Sequence, residues 1–193
     1  MMVPDHIQKS CLNVKATFFV TNGKPDYQNL IAQEAQRGHT VAIHSASHDY
    51  AKIYQSVDAY FADFDEMNSI ITAQTGKAAD LVRFPGGSSN IISKKYCYGI
   101  MSQLVCAVEE RGFRYCDWNV SSGDAGGTTS TSQVVANVIE GIKSNNVSVV
   151  LQHDIKNFSV DAVEQIIQWG LSEGYTFLPM TSTTPMSHHG VNN

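Results

Sequence analysis

Two histidines separated by three residues, His44 and His48, have a spacing that could bind a metal. When such a segment makes a helical turn, both imidazoles can face one point, and divalent metals such as zinc accept imidazole nitrogens as ligands. The pair follows Thr40–Ile43, an apolar run that predicts a buried strand. The alternative is that the two rings are solvated neighbours, as in many pairs with this spacing.

A second candidate group follows the next predicted strand. Arg83 lies near the end of the apolar run Leu81–Phe84, where a guanidinium is costly to bury without a partner. The next residues, Pro85-Gly86-Gly87, predict a tight turn whose backbone N–H groups can approach a ligand and donate to an oxyanion. The alternative is a surface arginine that pairs with a nearby acid.

His153 is the third candidate, and it follows the mostly apolar run Val147–Leu151. A histidine at the mouth of a strand can donate a proton in catalysis, because imidazole titrates near neutral pH. It can equally be a core histidine whose ring nitrogens are satisfied by neighbours. The segment Ser121-Ser122-Gly123-Asp124 adds a carboxylate after another predicted strand.

The elements that must position these residues alternate along the chain. Short apolar runs predict six strands, and longer segments with three- and four-residue apolar spacing predict five helices. The predicted strands are Ala16–Val20, Thr40–Ile43, Leu81–Phe84, Phe113–Cys116, Val147–Leu151 and Tyr175–Leu178. The predicted helices are Asp26–Arg37, Val57–Thr75, Ser93–Arg111, Ser132–Ser144 and Val160–Ser172. This alternation is typical of an α/β fold around a parallel sheet, where functional groups gather at the carboxyl ends of the strands.

Composition narrows the class of protein. The 193 residues, 42% hydrophobic and 16% charged, suit one globular domain over residues 1–193. A net charge of −5 with only 13 scattered Lys and Arg argues against a nucleic-acid partner. No apolar run reaches the roughly 20 residues of a membrane helix. The first ten residues have no apolar h-region, so we expect no secretory signal within the sequence as written. We expect a monomer with a frayed tail from Thr181 to Asn193.

Four segments carry a resemblance to a known family: Lys15-Ala16-Thr17-Phe18-Phe19-Val20, His44-Ser45-x-x-His48, Arg83-x-Pro85-x-Gly87 and Leu151-x-His153. In order and spacing they resemble the polysaccharide deacetylases, carbohydrate esterases whose catalytic unit is called the NodB homology domain. The similarity extends from about Cys11 to Leu178. It implies a distorted (β/α) barrel that hydrolyses N-acetyl groups of an N-acetylglucosamine polysaccharide with a bound divalent metal, usually zinc.

The resemblance also implies roles by position. His44 and His48 match the metal ligands, and His153 matches the general acid. Arg83 matches the arginine that tethers the catalytic base. The other matches are Pro85 and Gly86 at the oxyanion turn, Leu151 at the acetyl methyl pocket, and Asp124 as the aspartate that orients and charges the general acid.

The family's first motif, Thr-Phe-Asp-Asp, has no match in this sequence. That motif supplies the catalytic base and a carboxylate metal ligand, and Asp5 is too close to Lys15 to replace it. We therefore expect a barrel without its first strand, and little or no acetate release by this chain alone. Ala125 and Ser121 also depart from the family, since they stand where a tryptophan and an aspartate are common.

Three hypotheses are compatible with these patterns. The chain is a deacetylase whose first segment lies upstream, a non-catalytic sugar- or metal-binding relative, or an unrelated α/β domain with structural histidines. Polar groups at four predicted strand ends make the third the weakest, and an in-frame Thr-Phe-Asp-Asp upstream would separate the first two. For a deacetylase we expect peptidoglycan as the substrate and the bacterial cell surface or the secreted fraction as the location. Chitin oligomers and acetylated xylan stay open as substrates.

Overall fold

The computed structural model describes residues 12–193, which group into two compact units. The larger unit comprises residues 15–117 and 179–193, and the smaller unit comprises residues 12–14 and 118–178. Asp5 and Cys11 lie outside the described residues. The expectation that the barrel lacks its first strand therefore stays a prediction. Within residues 12–193, no helix is both long and apolar enough to cross a membrane.

Four parallel strands form the sheet of the larger unit: β1 (Thr17–Thr21), β2 (Thr40–Ser45), β3 (Leu81–Val82) and β4 (Arg114–Tyr115), in that spatial order. The register pairs Phe19 with Ala42 and Ile43 with Val82. The sequence predicts all four strands, and the parallel α/β class is confirmed. Ala42 and Ile43 of β2 and both residues of β3 are buried, as expected for a parallel sheet that helices cover.

The helices of the larger unit are α1 (Asn29–Gln36), α2 (Tyr50–Ile53), α3 (Val57–Thr75) and α4 (Ile100–Glu110), with 3-10 turns at Pro25–Tyr27 and Ser93–Lys95. The predicted bounds of α3 are confirmed because both its ends carry cap signals. The Ser56 side chain accepts from the Ala59 N–H, and Gly76 ends the helix with φ 76°. The predicted helix 93–111 is wrong in its first half, because Gly99 with φ 79° interrupts it. Asp26 lies within the first 3-10 turn and does not cap α1.

The core of the larger unit lies between α3, α4 and the sheet. The buried face of α3 contributes Tyr60, Phe64, Met67 and Ile71. These side chains pack in one cluster with buried residues of β2, β3 and α4: Ile43, Val82, Ile100, Met101 and Leu104. Because β2 and β3 are fixed by this core, the segments that leave their carboxyl ends begin from rigid positions.

The smaller unit contains two parallel strands, β5 (Val120–Ser121) and β6 (Val150–Leu151), and two helices, α5 (Thr131–Lys143) and α6 (Asn157–Ser172). Its core is apolar side chains of the two helices: Val134, Val138, Ile142, Ala162 and Ile166. The sequence predicts both helices and β6, whereas β5 is a short strand that it misses. The pairing of Val120 with Val150 and of Ser121 with Leu151 brings the segments after β5 and β6 together.

The predicted strand Tyr175–Leu178 is wrong, because this segment packs on α6 through side chains and joins no strand ladder within residues 12–193. The Tyr175 N–H donates to the Gly170 carbonyl at 2.8 Å, and the rings of Trp169 and Tyr175 lie 5.4 Å apart. A Cβ atom at Gly170 would meet the Phe177 ring at 2.6 Å, so glycine permits this packing. The aromatic residues of this segment favour a strand, but their packing against α6 determines its conformation instead.

The tail from residue 181 to 193 is ordered in the larger unit, so the expectation of a frayed end is wrong. The His188 ring stacks on the Tyr115 ring with a centroid distance of 3.9 Å, and its Nε2 donates to the Tyr115 carbonyl at 3.0 Å. The His189 N–H donates to the Asp117 carboxylate at 2.8 Å. These contacts give both histidines structural partners.

Candidate active site

His44 and His48 lie close together at the carboxyl end of β2. Their ring centroids are 5.0 Å apart, and the ring planes are inclined at 51°. His48 adopts the left-handed backbone conformation with φ 54°, which is rare for residues other than glycine. The structure thus brings the two predicted metal ligands together, whereas metal binding itself stays a prediction.

The His44 ring has a fixed tautomer. Its Nδ1 lies 2.6 Å from the Arg83 carbonyl oxygen, and because a carbonyl can only accept, Nδ1 carries the proton. The lone pair is therefore on Nε2. Metal-binding histidines commonly donate their second nitrogen to a carbonyl in this way, which fixes the ring and raises its basicity. The donor set therefore fits a divalent metal such as zinc through two imidazole nitrogens.

Asp63 is a site residue that the sequence reading misses. It lies on α3 and is only 2% exposed, and its carboxylate accepts from the Ser45 hydroxyl, the Ala46 N–H and the Ser47 N–H. Burial alone would raise the pKa of Asp63, but these hydrogen bonds outweigh burial and lower it. A signal was present, because Asp63 is three residues after Tyr60 and four before Met67, on the apolar face of α3.

Arg83 is buried, so the alternative of a surface ion pair is wrong. Its Nε donates to the Cys116 carbonyl and its Nη2 to the Asp117 carbonyl, each at 2.9 Å. The guanidinium also lies 4.1 Å from the centre of the Phe19 ring. Burial lowers the pKa of Arg83, although the contacts with residues 116 and 117 oppose that shift. The predicted role of Arg83 in tethering a base is untested by this geometry.

The turn after Arg83 requires glycine at its centre. Gly86 has φ 79°, and a Cβ atom there would lie 2.8 Å from the Tyr50 hydroxyl oxygen and 3.0 Å from the Asn90 Cβ. The Tyr54 hydroxyl donates to the Pro85 carbonyl at 2.6 Å, and the Gly87 N–H closes the turn on the Phe84 carbonyl at 2.8 Å. Because Gly87 uses its N–H inside the turn, Gly86 is the better candidate for the predicted oxyanion donor.

Asp117 ties this turn to the tail and is a second residue that the sequence reading misses. Its buried carboxylate accepts from the Ser88 N–H at 2.9 Å and from the Ser88 hydroxyl at 2.6 Å. It also accepts from the His189 N–H at 2.8 Å. Because these donors occupy the carboxylate, Asp117 has a structural role in holding the turn.

Asp124 and His153 form a hydrogen-bonded pair in the smaller unit, as the family resemblance implies for the aspartate and the general acid. The Asp124 carboxylate lies 2.7 Å from the His153 Nδ1 and 2.7 Å from its backbone nitrogen, and it also accepts from the Ser159 hydroxyl at 2.6 Å. Burial alone would raise the pKa of Asp124, but the bonds from His153 and Ser159 outweigh burial and lower it strongly. The His153 side chain is 37% exposed, so solvent and ligands can reach its ring.

The surroundings of this pair are also polar. The Lys156 ammonium donates to the Asp124 carbonyl, and the Ser122 N–H donates to the Leu151 carbonyl at 3.1 Å. Leu151 is half-buried in β6, and its predicted role in lining a methyl pocket is untested. Among residues 12–193, no group of three or more His, Cys, Asp or Glu side chains is arranged to hold a metal ion.

Comparison with known proteins agrees with these observations. The sequence profile described as polysaccharide deacetylase matches residues 10–98, which include His44, His48 and Arg83. The chain is 30% identical over 171 residues to a peptidoglycan-N-acetylglucosamine deacetylase of Bacillus cereus, covering 86% of this chain and 59% of that protein. It is 26% identical over 183 residues to the putative polysaccharide deacetylase YheN of Bacillus subtilis, covering 91% of this chain and 61% of that protein. The chain thus spans about three fifths of these two relatives.

Solved structures extend the similarity over the whole chain. The catalytic domain of peptidoglycan N-acetylglucosamine deacetylase from Eubacterium rectale is 68% identical, with a TM-score of 0.95 over 99% of this chain and 86% of that one. The polysaccharide deacetylase Bc1974 from Bacillus cereus is 28% identical, with a TM-score of 0.81 over 100% of this chain and 90% of that one. The chain belongs to the polysaccharide deacetylase family.

Proposed function

We propose that the active site to which these residues belong hydrolyses N-acetyl groups of N-acetylglucosamine in peptidoglycan, with a general base for which this sequence has no match. The observation that carries the proposal is the Asp124–His153 pair, in which a buried carboxylate holds Nδ1 of an accessible imidazole. Because the carboxylate engages Nδ1, Nε2 is left as the nitrogen that can give a proton to a leaving group. The 68% identity to the Eubacterium rectale catalytic domain supports peptidoglycan as the substrate.

The reaction transfers the acetyl group from the sugar nitrogen to water. The oxygen of water bonds to the carbonyl carbon while a general base takes one of its protons, the C–N bond breaks, and acetate and a free amine leave. His153 as an imidazolium gives its Nε2 proton to the departing nitrogen, and the Asp124 carboxylate stabilises that charged form. The Gly86 N–H donates to the oxyanion, and Leu151 contacts the acetyl methyl group.

We propose that His44 and His48 hold a divalent metal, with zinc as the ion, through the His44 Nε2 and a nitrogen of the His48 ring. When bound, such an ion polarises the acetyl carbonyl and lowers the pKa of a bound water. The chain's own contribution is the fixed His44 tautomer and the close approach of the two rings. No residue of this sequence matches the family's catalytic base, so we assign that role to none.

The place of action follows from the substrate. Peptidoglycan lies outside the cytoplasmic membrane, so we propose that the protein acts at the bacterial cell surface or after secretion. We propose that it acts as a monomer, because each assigned residue belongs to this one chain.

The test is acetate release from N-acetylglucosamine polymers with zinc supplied. Two proteins are compared: the 193-residue chain, and the same chain fused to a Thr-Phe-Asp-Asp strand of a family member. We expect little acetate from the first and turnover from the second, because a general base typically contributes about 10² to 10⁴ in rate. His153→Ala in the fused protein is the matched control and should abolish turnover.

Two outcomes would change the proposal. Binding of the oligosaccharide by a folded, zinc-loaded fused protein without acetate release would favour the non-catalytic sugar-binding hypothesis. Robust turnover by the 193-residue chain would mean that one of its own residues supplies the base.

A further inference from the structure

We propose that Asp63 is a positioning residue for His44 and His48. Through hydrogen bonds with Ser45, Ala46 and Ser47, which form the loop between the two histidines, Asp63 fixes the backbone conformation that brings the two imidazoles together. This inference builds on the metal role proposed for the two histidines. It concerns a residue outside the four family segments that the sequence displays, on a helix that contributes no proposed ligand.

The position of Asp63 is unusual for a carboxylate. Its neighbours on the inward face of α3 are the buried side chains of Tyr60, Phe64 and Met67. A carboxylate in such surroundings is unfavourable unless donors compensate for its lost hydration. The compensating donors come from the His44–His48 loop.

Three donors of that loop converge on the carboxylate. Asp63 Oδ2 accepts from the Ser45 hydroxyl at 2.5 Å and from the Ala46 N–H at 2.8 Å, and Oδ1 accepts from the Ser47 N–H at 2.8 Å. The Lys52 ammonium is a more distant partner, 3.8 Å from Oδ1. Every residue between the two histidines thus donates to the same carboxylate.

Ser45 passes this constraint on to His48. Its hydroxyl oxygen donates to Asp63 and accepts from the His48 N–H at 2.8 Å. His48 needs this support, because its φ of 54° is disfavoured for a residue with a side chain. Asp63 therefore orients the hydroxyl that holds the less favourable of the two histidine backbones.

The contacts distinguish a positioning role from a ligand role. Both carboxylate oxygens of Asp63 face N–H and O–H donors of the loop, so they point at the backbone between the histidines. An asparagine at this position could present one oxygen, but its amide hydrogens would face donors of the loop. Asp63→Asn therefore perturbs the loop while leaving the volume of the side chain nearly unchanged.

The experiment is a Zn²⁺ titration of the 193-residue chain, followed by the ring signals of His44 and His48 in ¹H–¹⁵N NMR spectra. Asp63→Asn is compared with Met67→Ala, which creates a cavity on the same buried face of the same helix and leaves the hydrogen bonds between Asp63 and the loop in place. We expect both ring signals of the parent to shift together at one Zn²⁺ concentration. Asp63→Asn should weaken that binding by at least about tenfold, because changes around metal ligands typically cost about 10- to 100-fold in affinity. Met67→Ala, although less stable, should bind Zn²⁺ as the parent does.

A second variant keeps the test decisive if Asp63→Asn does not fold. Ser45→Ala retains the two backbone bonds to Asp63 and removes only the hydroxyl between Asp63 and His48. It should weaken Zn²⁺ binding and reduce the shift of the His48 ring more than that of His44.

Three results would overturn the inference, and the first two leave the proposed metal role intact. Unchanged Zn²⁺ affinity in Asp63→Asn or Ser45→Ala would remove the positioning role while leaving the metal role intact. Equal weakening in Met67→Ala would show that general stability is responsible. If neither ring of the parent responds to Zn²⁺, the metal role fails, and the positioning role fails with it.

Discussion

Asp124 holds His153 at two points, because its carboxylate lies 2.7 Å from both the backbone nitrogen and Nδ1 of that residue. One acidic side chain therefore fixes the position of the backbone, the orientation of the ring and the tautomer of the imidazole. The Ser159 hydroxyl, 2.6 Å from the same carboxylate, restrains the acid in turn.

We predict that Asp124→Asn lowers acetate release by the fused protein by about 10² to 10⁴, because the amide leaves the histidine without a charged partner and disturbs its tautomer. Zn²⁺ affinity, measured from the His44 and His48 ring signals, should not change. Ser159→Ala, which removes one donor to the acid and leaves the pair intact, should cost less. A loss below about tenfold in Asp124→Asn would show that His153 does not depend on this carboxylate.

The same residue predicts a pH-dependent stability. Burial opposes the charged form of Asp124, but hydrogen bonds from His153 and Ser159 prevail, so its folded pKa is below its ordinary value. A depressed folded pKa stabilises the fold above the unfolded pKa of about 3.9, and that contribution is lost as pH falls toward the folded value.

Urea unfolding of the parent and of Asp124→Asn between pH 2 and 7 measures this contribution. At neutral pH the parent should be more stable by about 2 kcal/mol, since the variant leaves buried donors unsatisfied. The difference should shrink as pH falls below about 4, because the carboxylate of the unfolded parent then takes up a proton while the folded carboxylate stays ionised. A constant difference across the range would mean that Asp124 has an ordinary pKa.

A third prediction compares two glycines with similar backbone angles. Gly86 and Gly76 have φ of 79° and 76°. A Cβ atom at Gly86 would lie 2.8 Å from the Tyr50 hydroxyl oxygen, whereas a Cβ atom at Gly76 would have no neighbour within 4 Å. Gly76→Ala should therefore cost only the backbone strain, about 1 kcal/mol of the free energy of unfolding.

Gly86→Ala should cost more, about 2 to 3 kcal/mol, because crowding adds to the same strain. Since the Tyr50 ring lies 5.6 Å from the His48 ring, a displaced Tyr50 should also shift the NMR signals of His48. Chemical denaturation of the two variants and the His48 ring signal provide the measurements. Equal costs for the two glycines would indicate that Tyr50 yields without effect.

Local signals allowed much of the fold to be predicted from the sequence. The bounds of α3 follow from Ser56 and Gly76, and β2 follows from its apolar run. The predictions that failed concern segments whose conformation is not determined by local sequence signals. Gly99 was compatible with helical periodicity, yet its left-handed conformation precedes α4, which therefore begins only at Ile100.

The residues of the candidate site likewise fall into those that the sequence predicts and those that it does not. Asp124 and His153 are 29 residues apart, and only an alignment by motif predicts that they meet. Asp63 and Asp117 belong to none of the four family segments, and their importance comes from donors that long-range folding brings to them. A buried-face acid such as Asp63 is visible in the sequence as a charge in an apolar stripe, but its partners are not.

The last prediction concerns metal removal. A ligand that binds only the folded state raises the free energy of unfolding, by about 2.7 kcal/mol when its concentration is 100 times its dissociation constant. Zn²⁺ at that excess should therefore raise the melting temperature of the parent chain, and EDTA should reverse the shift. His44→Ala and His48→Ala should each remove most of the response, because His44 supplies a nitrogen of fixed tautomer and His48 supplies the neighbouring ring. His188→Ala serves as the control, because that ring is engaged with Tyr115 and should lower stability without altering the response to Zn²⁺. A Zn²⁺ response that survives in both ligand variants would place the metal at other residues of the chain.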